Sequence, residues 1–166
     1  MSETKLFAVT GNPILHSKSP CMFNNAFESM NLEARYIRIA ADSATEAIYL
    51  FNKTELSGMN VTAPFKEDIM PFLDIIDDDA QKIGSVNTVV KKDGKLIGYN
   101  TDHYGVANSI IEADISLKDI NAVVIGAGGA GKAAAFGLVK NGAKVTIVNR
   151  TLAKAKAAAQ TARLQI

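Results

Sequence analysis

The sequence predicts an α/β protein in two unequal parts: a first lobe in which short strands alternate with helices, then a single strand-helix-strand unit. Two observations carry this. Short apolar runs such as LFAVTG at 6–11 and NAVVIG at 121–126 end in glycine, as strands entering tight turns do. Between such runs lie stretches with apolar residues at helical spacing, so strands and helices alternate along the chain. A chain of 166 residues, 48% of them apolar, can bury one core comfortably, or two small lobes that share a boundary.

The elements follow in order. LFAVTG is a buried strand, and Ser19-Pro20 predicts a helix start with serine as N-cap and proline at the first helical position. That helix carries Met22, Phe23, Ala26, Phe27 and Met30 on one stripe. ARYIRIA at 34–40 is a second strand, and Ser43 with Glu46 forms a capping box before a helix whose apolar face includes Ala47, Leu50 and Phe51. GMNVT at 58–62 is a third strand. Pro64 opens a further helix that Pro71 interrupts, and Asp77 to Asp79 make an acidic helix start. Asp93-Gly94 lies between two strand-like runs and predicts a hairpin, because both turn residues tolerate positive φ. A helix over about 103–113 leaves this lobe, so the chain divides into 1–102 and 103–166.

The second part is a strand, a glycine-rich turn, a helix closed by Asn141-Gly142, and another strand. Thr151 starts a last helix running to the end of the chain. Gly126, Gly128 and Gly131 match G-x-G-x-x-G after a strand and at a helix opening, the context a dinucleotide-binding loop requires. The first glycine allows the tight turn, the second the approach of backbone to a pyrophosphate, and the third close helix packing. The part therefore reads as the first βαβ unit of a Rossmann-type domain, which in full has about six strands. An NAD site would place an acid at the end of the second strand, whereas this strand ends Asn149-Arg150-Thr151, with Lys154 one turn on. A guanidinium there suits a 2′-phosphate, hence NADP; as plain helix-start charges, Arg150 and Lys154 would oppose the helix dipole.

Composition excludes other classes. Lys and Arg total 18 against 17 for Asp and Glu, so no basic surface drives nucleic-acid binding, and a small molecule is the expected partner. One cysteine excludes an intrachain disulfide, and the N-terminal residues lack the pattern of a secretory leader. No apolar run is long enough to span a bilayer, and the expected setting is cytoplasmic. Cys21 reads as a small buried residue, and His16 and His103 as polar packing, with His103 able to tune Asp102 beside it. No metal site is expected.

Polar clusters fall where strands or turns end: HSKSP at 16–20, NVT at 60–62, Lys66, SVNT at 85–88 and NTD at 100–102. Ser17 and Ser19 could donate to a carboxylate, and Thr62, Lys66, Asn87 and Asp102 could bind hydroxyls. Taken singly, Ser19 could equally cap its helix, Thr62 and Thr88 serve as strand residues, and Asn87 fix a turn.

In order and interval, HSKSP, NVTAPFK, SVNT, GYNTD, GAGGAG and NRT resemble shikimate dehydrogenase over about residues 6–154. The resemblance implies an NADP-dependent enzyme of aromatic amino-acid biosynthesis that interconverts shikimate and 3-dehydroshikimate, with 1–102 as substrate-binding lobe. It implies that Ser17 and Ser19 hold the substrate carboxylate, that Thr62, Lys66, Asn87 and Asp102 contact ring hydroxyls, and that Lys66 and Asp102 are the catalytic pair. On the cofactor side it implies Gly126, Ala127, Gly128, Gly129, Ala130, Asn149, Arg150, Thr151 and Lys154, with Asp78 a weaker match. Two departures stand out: His103-Tyr104 follows Asp102 where the family often has glycine, and members run roughly a hundred residues longer. That length leaves three readings open: the NADP enzyme, a quinate/shikimate dehydrogenase, or a ligand-binding fragment without turnover. A tetrahydrofolate-linked dehydrogenase suits HSKSP and NTD less well. An unfinished nucleotide domain would also expose sheet edge and apolar faces, which predicts a homo-oligomer or an unstable chain.

Overall fold

The protein is described by a computed structural model, which covers residues 4–161. The end of the last predicted helix, 162–166, and the first three residues of the chain lie outside the described residues. Two compact units form, and neither is continuous in sequence: residues up to 76 with 86–99 make the first, and 77–85 with 100 onward make the second.

The first unit is a six-stranded mixed sheet in the order β2-β1-β3-β5-β6-β4. Strand β1 (Lys5–Gly11) lies parallel to β2 (Ala34–Ala40) and to β3 (Gly58–Val61). β5 (Thr88–Lys92) runs antiparallel to β3 and to β6 (Lys95–Tyr99), which pairs in parallel with the two-residue β4 (Ile75–Ile76). The hairpin turn Asp93-Gly94 has the positive φ values, 52° and 76°, that its residue types predict. Helix α1 (Ser19–Ser29) sets Phe23 and Phe27 against Phe7, Val9, Ile14 and Tyr36, with the Phe23 and Tyr36 rings stacked. Helix α2 (Ala44–Lys53) buries Ala44, Ala47 and Phe51.

Several local expectations needed correction. Ser19 is the first residue of α1 and not its cap; the capping position is Lys18, and the Ser19 N–H is taken instead by Ser17 Oγ at 3.3 Å. Met22, Ala26 and Met30 are exposed, because α1 faces the sheet with Pro20, Phe23, Asn24 and Phe27, and the Asn24 amide bonds the Tyr36 backbone in both directions. The Ser43 cap is present, but the Glu46 carboxylate accepts from the Asp42 N–H. No helix follows Pro64: residues 63–69 are turns leading to a 3-10 segment, Met70–Phe72. The reason is visible in the hydrogen bonds. The Lys66 carbonyl accepts from Val86 N–H at 2.8 Å and Met70 N–H bonds Glu67, so the i to i+4 ladder is diverted before it can propagate.

The second unit begins with α3 (Asp78–Ile83), capped by Asp77 Oδ1 and closed by Gly84 at φ +67°. Helix α4 (Asp102–Ile111) follows, then β7 (Asn121–Ile125), α5 (Gly129–Lys140), the parallel strand β8 (Lys144–Val148) and α6 (Leu152–Thr161). Ala122, Val124, Val145 and Ile147 share one core with Ala107 of α4 and Ala135 and Leu138 of α5. Gly137 lets α5 press on α4, since a Cβ there would fall 2.3 Å from the His103 carbonyl oxygen. The opposite face of the two strands leaves Val123 64% and Ile125 86% exposed.

Candidate active site

In the first unit the candidate residues converge on one end of the sheet. β1 and β3 are parallel, so Gly11 and Thr62 leave the same edge; β5 runs the other way, and Asn87 at its start comes to that edge too. Ligands of open α/β sheets bind outside the carboxyl ends of parallel strands. The packing here is close: a Cβ on Gly11 would lie 2.4 Å from Thr62 Cγ2 and 2.8 Å from the Ala63 carbonyl oxygen. Asn12 N–H donates to that carbonyl, and Thr62 N–H to Thr10, so the two strand exits are tied together.

The loop after β1 turns back at Ser17, whose N–H bonds Ile14. Ser17 Oγ and Ser19 Oγ lie 3.2 Å apart at the N-terminus of α1. The Arg38 guanidinium donates to the Ser17 carbonyl through Nε at 3.0 Å and Nη2 at 2.5 Å, which fixes the loop from β2. Two hydroxyl donors beside a helix N-terminus are matched to a carboxylate. Lys66 is half-buried in the turns after Thr62, its backbone held to Val86. Asn87 is 7% exposed; its N–H donates to Tyr99, and its carbonyl accepts from Val61. Ser17, Ser19, Thr62, Lys66 and Asn87 thus all belong to this unit.

Asp102 belongs to the second unit, as the first residue of α4. Its N–H donates to Asn100 Oδ1 at 3.0 Å, while Asn100 Nδ2 donates to Ser85, so a buried asparagine sets the start of the helix. His103 is 1% exposed, its ring against those of Tyr104 and Phe136, and its Nε2 is 3.6 Å from the Asp79 carboxylate. Burial pulls the imidazole below its ordinary value, with Asp79 working against that shift. Lys140 pairs with the same carboxylate, which lies below its usual range, while the ammonium is pushed up. Asp78 is exposed in the first turn of α3. No local pattern signals that Asp79, His103 and Lys140 meet, since they lie on three different helices.

The glycine loop of this unit is built from backbone. Gly126 takes φ +113° and donates its N–H to Val148 at 2.7 Å. A Cβ on Gly131 would fall 2.1 Å from the Gly126 carbonyl oxygen, so only glycine fits the third position, whereas Gly128 faces open space. Gly129 and Ala130 supply the first turn of α5. Asn149 links the loop to the segment after β8: its Oδ1 accepts from Ala127 N–H at 3.3 Å and its Nδ2 donates to the Thr151 carbonyl. Arg150, Thr151 and Lys154 are exposed beside it. This cradle fits a dinucleotide phosphate, with a cation within the segment that borders the loop.

Among the described residues no helix is long and apolar enough to cross a membrane. The model of the shikimate dehydrogenase substrate binding domain matches residues 9–89, and that of shikimate / quinate 5-dehydrogenase matches 106–165. The shikimate dehydrogenase (NADP(+)) of Carboxydothermus hydrogenoformans is 44% identical over 156 residues, 93% of this chain and 56% of that protein. The crystal structure of the Aquifex aeolicus shikimate dehydrogenase superposes with a TM-score of 0.92 at 41% identity, over 98% of this chain and 62% of that one. The Thermus thermophilus shikimate 5-dehydrogenase, solved with NADP(H) and shikimate, gives a TM-score of 0.88 at 39% identity over 97% and 62%. The chain thus spans about three fifths of the length of these relatives.

Proposed function

The chain belongs to the shikimate dehydrogenase family, and from that premise we propose that it serves an NADP-dependent oxidoreductase interconverting shikimate and 3-dehydroshikimate. The observation that carries this is the Ser17 and Ser19 hydroxyl pair at the N-terminus of α1, in a chain whose other unit holds a glycine loop that tolerates no side chain at Gly131. Ser17 and Ser19 hold the carboxylate, Thr62, Lys66, Asn87 and Asp102 the ring hydroxyls, and residues 1–102 act as the substrate lobe. Gly126 to Ala130 and Asn149 to Lys154 hold NADP, with Arg150 on its 2′-phosphate and Asp78 toward the same cofactor. NADP supplies the hydride acceptor. The alcohol proton is the protein's task, and Lys66 with Asp102 carries it: a lysine accepts the proton from the hydroxyl, and the carboxylate favours the ammonium that results. The setting is cytoplasmic, and the exposed row Val123, Ile125 and Val148 supports self-association.

NADPH formation from shikimate by this chain is the direct test, with quinate and NAD as competitors. Faster turnover of quinate would make it a quinate/shikimate dehydrogenase. One other reading is binding of both ligands without turnover. Calorimetric binding of shikimate and NADP with no NADPH formed selects that reading; binding of neither sinks both.

A further inference from the structure

Four side chains of the first unit form a hydrogen-bonded relay that crosses the sheet and ends on Asn87. The Tyr36 hydroxyl, on β2, donates to Asn60 Oδ1, on β3, at 2.5 Å. Asn60 Nδ2 lies 3.1 Å from Thr88 Oγ1 and 3.4 Å from the backbone carbonyl oxygen of Asn87. Thr88 Oγ1 in turn lies 2.9 Å from Asn87 Oδ1.

Elementary donor and acceptor counting sets the direction of this relay. A backbone carbonyl can only accept, so the end of the Asn60 amide that faces Asn87 is its NH2. The other end is then oxygen, and the Tyr36 hydroxyl must give its proton to it. Tyr36 is 4% exposed, and burial holds the phenol well above its ordinary value, so that proton stays in place. Thr88 Oγ1 accepts an Asn60 N–H, and in the structure its own proton is donated to Asn87 Oδ1. A donating hydroxyl selects Oδ1 of the Asn87 amide, and the NH2 end is turned the other way.

We propose that Tyr36, Asn60 and Thr88 are positioning residues that hold Asn87 with its amide nitrogen, rather than its carbonyl oxygen, directed to the ligand. This deepens the function proposed above and rests on its reading of Asn87 as a ligand contact. The consequence is a specificity: the ligand atom at Asn87 must be an acceptor oxygen. A hydroxyl and a ketone oxygen both accept, so an N–H at this place holds the alcohol and the ketone in one pose. A carbonyl there would hold the alcohol alone.

Side-chain amide resonances of the 15N-labelled chain read the orientation, with Asn87→Asp assigning the signal. Thr88→Val and Tyr36→Phe should each shift the Asn87 Nδ2 resonances, and Thr88→Ser should restore them. Shikimate binding should weaken roughly threefold to tenfold in Thr88→Val, the weight of one ordinary hydrogen bond, and recover in Thr88→Ser. Tyr36→Phe removes one oxygen and keeps the ring packing, so it answers the question even where Thr88→Val fails to fold. Asn87 resonances unmoved by Tyr36→Phe overturn the relay. Resonances that move while shikimate affinity stays at the wild-type value overturn its bearing on the ligand. A wild-type chain whose amide responds as described but which binds no shikimate supports the orientation and discards the shikimate reading alone.

Discussion

The two units of this chain build their candidate sites from different materials. In the first, positions as far apart as Ser17 and Asn87 are held by side-chain hydrogen bonds reaching them from other strands, Arg38 to the Ser17 carbonyl and Asn60 to the Asn87 carbonyl and Thr88, and the backbone serves as frame. In the second, the cradle is backbone: a Gly126 amide on Val148, a positive φ, and a Gly131 whose missing side chain leaves room for the Gly126 carbonyl. A site of the first kind depends on which atoms a few residues carry, so single substitutions should alter chemistry and leave the fold intact. A site of the second kind depends on room, so adding one carbon should damage binding and packing together.

The largest effect tests the first half of that contrast. Lys66→Ala should lower turnover by about 10²–10⁴, the usual contribution of a positioned general base, and change shikimate affinity far less. Steady-state rates beside calorimetry separate the two. An equal loss in both would make Lys66 a binding residue, and the first unit would then hold substrate without directing the proton.

Gly131→Ala tests the second half. Its Cβ would meet the Gly126 carbonyl oxygen at 2.1 Å, and backbone cannot yield as a flexible side chain does. A cost of about 1–3 kcal/mol is expected, with NADP binding lost and the shikimate affinity of the first unit retained. Gly128→Ala is the matched control, because nothing lies within 4 Å of its added carbon. It should melt like the wild type and still bind NADP poorly. If both variants unfold alike, close packing does not distinguish the two glycines. A smaller change is expected of Arg150→Gln, which should weaken NADP binding by roughly tenfold to a hundredfold, the range of a charge-assisted hydrogen bond, and leave NAD binding unchanged. Equal losses for the two cofactors would remove Arg150 from the 2′-phosphate.

The contrast also explains what could be read from sequence. The glycine loop, the Asp93-Gly94 turn and the Ser43 cap were legible because each closes within a few residues, where residue type alone constrains φ or supplies a hydrogen bond. Ser19 is no cap because α1 already includes it: Lys18 holds the capping position, and Ser17 Oγ accepts from the Ser19 N–H, a boundary one residue off that residue type alone does not mark. The helix expected at Pro64 fails because the Lys66 carbonyl is claimed by Val86, twenty residues further along the chain and outside any local pattern. The same limit hid the two-residue strand Ile75–Ile76, the bond from Arg38 to Ser17, and the relay from Tyr36 to Asn87. Each depends on strand register, which hydrophobic pattern specifies only once the partners are known.

The smallest effect lies in the second unit. His103 sits below its ordinary value of 6.5, with burial as the leading cause, so the unfolded chain takes up a proton more readily than the folded one. Stability conferred by keeping this ring neutral is therefore present above 6.5 and is lost as pH falls from there toward the lowered folded value. Asp79 is also depressed, from 3.8, and its contribution disappears only at more acid pH, so the two windows separate. Between about pH 7 and pH 5 the melting temperature should fall by about 2–4 °C or less, the shift that 1 kcal/mol produces in a chain of this length. His103→Gln should flatten that slope while Lys66→Ala leaves it in place. A slope that survives in His103→Gln would move the acid sensitivity elsewhere. A wild type that gains stability on acidification would mean that the Asp79 carboxylate outweighs burial at this ring, and His103 would then act as an ion-pair partner rather than as packing.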